Sequence, residues 1–520
     1  MKTYRRLIIL SLVCMVISSC AIAQADAKEQ VDIEMVNKIK AEAMDNSSAM
    51  DNLNYIADVY GPRVTGSPQY YEAAKWAKNR LQEWGLESKL DDYPTDLRGW
   101  HYESYSVQMT EPTFMTINAL PYIWSNGTNG VIESEIVLVD PEDITALKKL
   151  KGKLKDKIIV SPNNESLDDI SIKPFSEEQL LKASESNLAN DPEGLDNSGI
   201  KPLADYLRAK KEQRTKVPNE ADEVHQFLID QGVAAVVVAS NHGLGVVSAN
   251  TLPYNAIGDI KPVPHFSIAK DQHKRILTLV EKGYLPKLKL HLNATFNTEK
   301  KYHVNILGEI RGVDPNLKDE VVMVGAHFDS KVGGTGAADN GAGSATIMEA
   351  VRILKAIGVK PRRTIRIALW DGEEEGLQGS LGYLKKYVGD IVEGTYEEEQ
   401  SKISVYFNMD QNGHDLRGIF TQGNKKIRPI FDAYLKPFHE YGAATTTIQN
   451  ACCTDHLGFD ALEIPAFEWI YDPLYYFSHQ LHVNTDTSDL VKETSMKRNA
   501  AIVAGFIYHA AMRNEMMPRK

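Results

Sequence analysis

Cysteine is scarce in this chain: four residues in 520, at positions 14, 20, 452 and 453. Two fall within the first twenty residues and the other two are adjacent, so a disulfide scaffold is excluded. Cys452-Cys453 has two readings, a vicinal disulfide in an oxidising compartment or a pair of thiols. Positive charge is also in short supply. The formal net charge is −12, and no basic patch of the size that nucleic acid demands is visible, so a nucleic-acid partner is not expected. The apolar run Leu7–Ile17 is too short to span a bilayer comfortably. No internal repeat is evident.

What is present at the N-terminus reads as an export signal over residues 1–23. Lys2, Arg5 and Arg6 precede the apolar run. Two cleavage points compete. Ile17-Ser18-Ser19-Cys20 resembles a bacterial lipobox, which would leave Cys20 lipid-modified, while Ala21-Ile22-Ala23 fits an ordinary signal peptidase. Either way the expected location is exported, periplasmic or lipid-anchored. Cys20 is the one membrane attachment foreseen.

Farther along, Gly61–Pro68 is a loop by composition. Ala73, Trp76, Ala77, Leu81 and Trp84 then recur at helical spacing, with Gly85 where a C-terminal cap belongs. Between residues 128 and 295 the texture changes to short apolar runs: Glu135–Val139, Lys157–Val160, Val233–Ala239 and Val263–Ile268 read as strands. Within that block, residues 163–222 are polar and charged and read as an exposed helical excursion or a partly mobile loop. From residue 302 strands and helices alternate. Val321–Ala326, Thr364–Trp370, Ser404–Met409 and Pro465–Ile470 are the strands. A helix follows the first, and Ile502–Ala511 lies in a closing helix. This alternation predicts an α/β domain with a mostly parallel sheet.

Three of those strands run straight into residues that bind metals. The first ends in His327-Phe328-Asp329, the second in Asp371-Gly372-Glu373-Glu374, and the third in Asp410. In an open α/β sheet the functional crevice lies at the carboxyl ends of the strands, so these groups should converge. The glycine-rich loop after Asp329 brings Asp339 over the same edge. Several carboxylates in one crevice repel and raise one another's pKa, and a pair of cations relieves that. A second His is expected from late in the chain, where His456, His479 and His482 stand; His482, in a loop after the fourth strand, fits best. Two His with several carboxylates suit zinc, and two bridged ions about 3.5–4 Å apart form a hydrolytic clamp.

The stretches "GPRVTGSP", "GAHFDS", "GAADNGAG", "DGEEEGLQGS", "NMDQNG", "TDHLGF" and "HVNTDT" occur in one order over most of the chain. Together they resemble the co-catalytic zinc aminopeptidase and carboxypeptidase Q-like metallopeptidase family. The resemblance implies two Zn2+, with Co2+ or Mn2+ as substitutes. His327, Asp339 and Asp410 would hold one ion, and Asp339, Glu374 and His482 the other. Glu373 would be the general base, Asp329 would orient His327, and Glu375 would be a solvated neighbour. The implied substrate is a peptide cut at a chain end, by an aminopeptidase or dipeptidase, with a carboxypeptidase-like specificity as the alternative. Glutaminyl cyclases share the fold, but the resemblance gives them one zinc without the first His, and His327-x-Asp329 argues against that branch.

By the same resemblance, residues 24–127 and 296–520 make the peptidase domain, and 128–295 looks like an inserted, β-rich protease-associated domain through "GKLKDKIIVS" and "DQGVAAVVVAS". That block supplies none of the five ligands, so it is expected to be separable from the chemistry. Outside this set, His456 reads as a structural residue, and the aromatic cluster Trp469, Tyr471, Tyr475, Tyr476 and Phe477 as mostly packing.

Overall fold

Val321–Ala326 lies at the heart of a six-stranded sheet. The computed structural model describes residues 29–163, 173–191, 194–195, 202–215, 220–410 and 413–520. The expected export signal, with Cys14 and Cys20, lies outside the described residues. In chain order the sheet and its covers are α1 (Pro68–Glu83), β1 (Glu87–Asp92), β2 (Val304–Ile310), β3 (Val321–His327), α2 (Ala342–Ala356), β4 (Thr364–Trp370), α3 (Gln378–Tyr387), β5 (Ile403–Asn408), β6 (Ala466–Phe467) and α4 (Glu493–Met512). Strand order is β1-β2-β4-β3-β5-β6. The last four are parallel, and β2 and β1 add on in antiparallel fashion. This is the mixed α/β sheet expected.

The continuous apolar runs follow from burial on both faces. Val322, Val324 and Ala326 point into a core shared with α1, α2 and α4. Val321 and Met323 point the other way, onto Tyr383 and Leu384 of α3. α1 starts where Ser67 accepts a hydrogen bond from Tyr70 N, with Pro68 in its first turn. Among the described residues, no helix is long and apolar enough to cross a membrane.

Two expectations are revised. The fourth strand breaks at Glu468: Ala466–Phe467 stays in the main sheet, while Trp469–Tyr471 joins Leu416–Phe420 and Thr445–Thr447 in a three-stranded sheet. The block expected as an insert belongs to an eight-stranded sheet that also takes in Gly99–Glu111, which pairs along its length with Lys287–Asn297. The described part of the excursion is helical, and it is packed. Its helix Glu177–Glu185 is closed by a capping box of Ser176 and Gln179. Leu180 and Phe175 pack with Phe420 and Ile470, and Thr447 Oγ1 donates to Ala183 O at 2.5 Å.

Gly325, in the middle of β3, leaves room for two rings. Trp370 Nε1 donates to Tyr406 Oη at 2.7 Å, and Tyr406 Oη donates in turn to Asn408 Oδ1. A Cβ at Gly325 would lie 2.7 Å from Tyr406 Cε2 and 2.8 Å from Trp370 Nε1. Gly325→Ala is therefore expected to lower stability by about 1–3 kcal/mol through overpacking, measured as a fall in the denaturation midpoint. An unchanged midpoint would mean that the rings can step aside.

Candidate metal centre

The carboxyl ends of β3, β4 and β5 deliver His327, Asp371 and, two residues past Asn408, Asp410 to one edge. The glycine loop carries Asp339 above them. Asn340 Nδ2 donates to Met409 O at 2.8 Å, and Ser344 Oγ to His327 O at 2.7 Å. Gly343 lets the start of α2 come this close, since a Cβ there would meet Met409 O at 2.8 Å. Both ends of the loop are pinned by Arg63, from "GPRVTGSP". Its buried guanidinium donates to Phe328 O, Ile56 O, Thr335 O and Gly336 O at 2.7–3.0 Å. The sequence reading passed over Arg63.

Asp339 is the shared element. Its Oδ1 is 3.2 Å from His327 Nε2, and its Oδ2 is 3.2 Å from His482 Nε2. Asp410 Oδ1 joins the first imidazole at 3.3 Å and Glu374 Oε2 the second at 2.8 Å. Donor atoms held at the usual distance from one tetrahedral zinc ion are about 3.3 Å apart. Buried His327 Nε2, Asp339 Oδ2 and Glu374 Oε1 have no hydrogen-bond partner, and one donor atom from each of these three residues lies within 4.8 Å of the others. The residues present fit a metal.

Electrostatics follow from the crowding. Burial favours neutral His327, but the charge of Asp410 and the close approach of the Asp329, Asp339 and Asp410 carboxylates outweigh it and raise its pKa well above the ordinary range. Burial likewise opposes, and Glu374 and Asp339 overcome, in raising His482 to about 11. Burial drives Glu373 well above the usual carboxylate range, and Asp410, Asp455 and Glu374 push the same way.

The three consecutive glutamates diverge. Glu373 N and Glu374 N both donate to the Asp329 carboxylate, at 3.2 and 3.3 Å, and Thr65 Oγ1 donates to it at 2.9 Å. Glu374 reaches His482, while Glu373 faces the cavity. Glu375 is not solvated: it is buried and pairs with Lys331 Nζ at 2.9 Å. Lys331, whose side chain is only 10% exposed, also donates to Glu374 O at 2.7 Å and needs a counter-charge. Asp329 meets His327 Nδ1 chiefly through its backbone oxygen, at 3.1 Å, with its carboxylate at 3.6 Å. Asp371 stays out of the cluster, held by Tyr93 Oη at 2.9 Å.

The sequence reading also missed Glu468. Its Oε1 accepts from Asp410 N at 3.3 Å and from Trp469 N at 2.9 Å, and Asn408 Nδ2 donates to its Oε2 at 2.6 Å. The only signal for it was a lone acid inside an apolar strand. His456 is a buried structural residue bonded to Gln422 at 2.7 Å. Cys452 and Cys453 form a vicinal disulfide.

A cavity of about 1150 Å³ opens above the cluster. Trp469, Tyr471, Tyr476 and Phe477 line it, so most of the aromatic cluster does more than pack. Phe175, Leu195 and Tyr206 come from the excursion, and Leu252 and Asn255 from the inserted domain. The block expected to be separable therefore forms part of the site's walls.

A set of His and carboxylate donors at the open edge of this sheet, under such a cavity, is that of a metallo-exopeptidase. Over residues 305–507 the chain matches the family described as Peptidase family M28. It is similar to human carboxypeptidase Q, 24% identical over 473 residues, which span 90% of this chain and 86% of that relative. The fold is that of a peptidase M28 precursor from Shewanella amazonensis, with TM-score 0.63, 20% identity, and coverage of 94% of this chain and 98% of the other. BSAP, a zinc aminopeptidase from Bacillus subtilis, shares it at TM-score 0.54 and 18% identity over 90% and 95% of the two chains.

The Lys331–Glu375 pair yields a test. Glu375→Gln leaves a buried ammonium with one carboxylate 3.8 Å away, on Glu374. Thermal denaturation should show a loss of about 2 kcal/mol or more, as expected when one partner of a buried ion pair is removed. A variant as stable as the parent would mean that the pair is solvated after all.

Proposed function

We propose that this chain is a two-zinc peptidase that acts at the amino end of short peptides. The observation that carries the two-ion reading is Asp339, which turns one carboxylate oxygen to each of two imidazoles. His327, Asp339 and Asp410 would hold one ion, and Asp339, Glu374 and His482 the second. Bound there, the pair would supply Lewis acidity towards a peptide carbonyl and lower the pKa of water.

The chain's own groups carry the proton. Glu373, next to a ligand but in contact with neither imidazole, takes a proton from the attacking water and returns it to the leaving amine nitrogen. Asp329 fixes the turn that carries Glu373, through the two backbone N–H groups that it accepts. Burial that raises Glu373 suits a base that must also act as an acid.

Polarity of the cavity favours the amino end. Its described lining includes Glu373 and Glu468 but neither Arg nor Lys, while Glu375 and Asp472, also in the wall, are paired with Lys331 and Arg417. An α-ammonium group is attracted by such a wall, whereas an α-carboxylate finds no Arg or Lys in the described lining to pair with. This weighs against carrying over the carboxypeptidase specificity in the name of the human relative. Free peptides and C-amidated peptides should be cleaved and N-acetylated ones spared; preference for N-acetylated peptides with a free carboxylate would reverse the assignment.

Separate roles for neighbouring glutamates predict separate failures. Glu373→Gln should keep both metals while losing turnover by about two to four orders of magnitude, the usual worth of a general base. Glu374→Gln should bind less metal at the second site, because an amide is a poorer ligand than a carboxylate. Metal content and turnover, measured side by side, decide the matter. A metal-poor Glu373→Gln would exchange the two roles.

A further inference from the structure

The inserted domain packs Leu120 against Val332 and Gly333 of the glycine loop, and it pairs by backbone hydrogen bonds with the segment His482–Asn484. Ser248 and Val483 form an antiparallel bridge. Ala249 N donates to His482 O at 2.7 Å, and Asn484 N donates to Val247 O at 3.0 Å. The Asn484 side chain completes the clamp: its Oδ1 accepts from Val247 N at 2.7 Å, and its Nδ2 lies 3.4 Å from Gly245 O. On the insert side, Ser240 Oγ accepts from Ser248 N at 3.0 Å and donates to Val246 O at 3.0 Å. The loop is thus fastened to the end of strand Ala235–Ala239.

The same segment is held from below. Asp486 accepts from Ala338 N at 2.7 Å and from Asp339 N at 3.2 Å. His482 itself has φ of +53°, a left-handed conformation that is unfavourable for a residue with a Cβ. Such a conformation persists only where the surroundings enforce it. Asp486 fixes the chain four residues later, and the insert grips it at His482 itself.

From this geometry we infer that the inserted domain is a positioning element for the second cation, with Asn484 and Ser240 as its positioning residues. The inference rests on the two-ion reading above. Loosening the clamp lets the His482 backbone relax and moves its imidazole away from Asp339 and Glu374. The ion held by His327, Asp339 and Asp410 is not served by this contact.

The test titrates metal-depleted full-length protein with Zn2+ alone, followed by calorimetry and by metal content after dialysis. Asn484→Ala and Ser240→Ala should each weaken the second binding event about tenfold or more, the usual effect of removing a group that orients a ligand. The first event should be unchanged. Asn484→Asp, which keeps the acceptor for Val247 N, should restore the second event. Ser240→Ala acts without touching the His482 segment, so it decides the matter if Asn484→Ala fails to fold. Two wild-type-like events in Ser240→Ala and in folded Asn484→Ala would overturn the inference alone. A single event in the parent protein would overturn the two-ion reading, and this inference with it.

Discussion

Asp339 holds one oxygen against each of two imidazoles, and much of the surrounding chain serves to keep it there. Burying Asp339 beside Asp410, Glu373 and Glu374 is costly, because each carboxylate disfavours the charge on the next. The arrangement persists because positive groups are interleaved: His327 and His482 inside the cluster, Lys331 behind Glu374 and Glu375, and Arg63 under the loop. Arg63 works through carbonyls and not carboxylates. It shapes the loop that carries Asp339, while the imidazoles meet its charge. Protons and divalent cations compete for the same imidazole atoms, so the donor set that makes this cluster tolerable also makes it a metal site.

Much of this was legible in the sequence because strand ends are easy to find. Val321–Ala326 and Thr364–Trp370 are apolar runs buried on both faces, and the residues after them must lie at one edge of the sheet. Pairwise geometry was not legible. Glu375 read as solvated because nothing in "EEE" tells which carboxylate turns inward, and its partner Lys331 sits across a glycine loop. Glu468 was hidden because an acid in an apolar strand has no periodic signature. It marks the point where the chain leaves one sheet for another. The extension of the eight-stranded sheet to Gly99 was not legible because residues 99–127 carry no strong change in composition, and the pairing with Lys287–Asn297 is long-range.

The excursion shows the same limit. Polar composition over residues 163–222 suggests an exposed helical excursion or a partly mobile loop. In the described part a few apolar residues, Phe175, Leu180 and Leu195, suffice to seat it on Phe420 and Ile470 beside the cavity. A helix that needs only one narrow apolar face can be polar over most of its length, so average composition says little about whether it packs.

Why the eight-stranded sheet's loop should reach the His482 segment at all follows from where it leaves the main sheet. β1 and β2 are antiparallel neighbours, and Asp92 pairs with Val304, so the ends of the insert are adjacent. A long insertion between adjacent ends adds little closure entropy beyond that of its own fold. β2 is also antiparallel to β4, with Ile306 opposite Leu369. The end of β2 that receives the insert therefore lies at the carboxyl end of β4, the edge that carries Asp371, Glu373 and Glu374. A domain grown from that hairpin emerges beside the metal centre, and its pairing with Val483 exploits a proximity that the sheet topology already imposes.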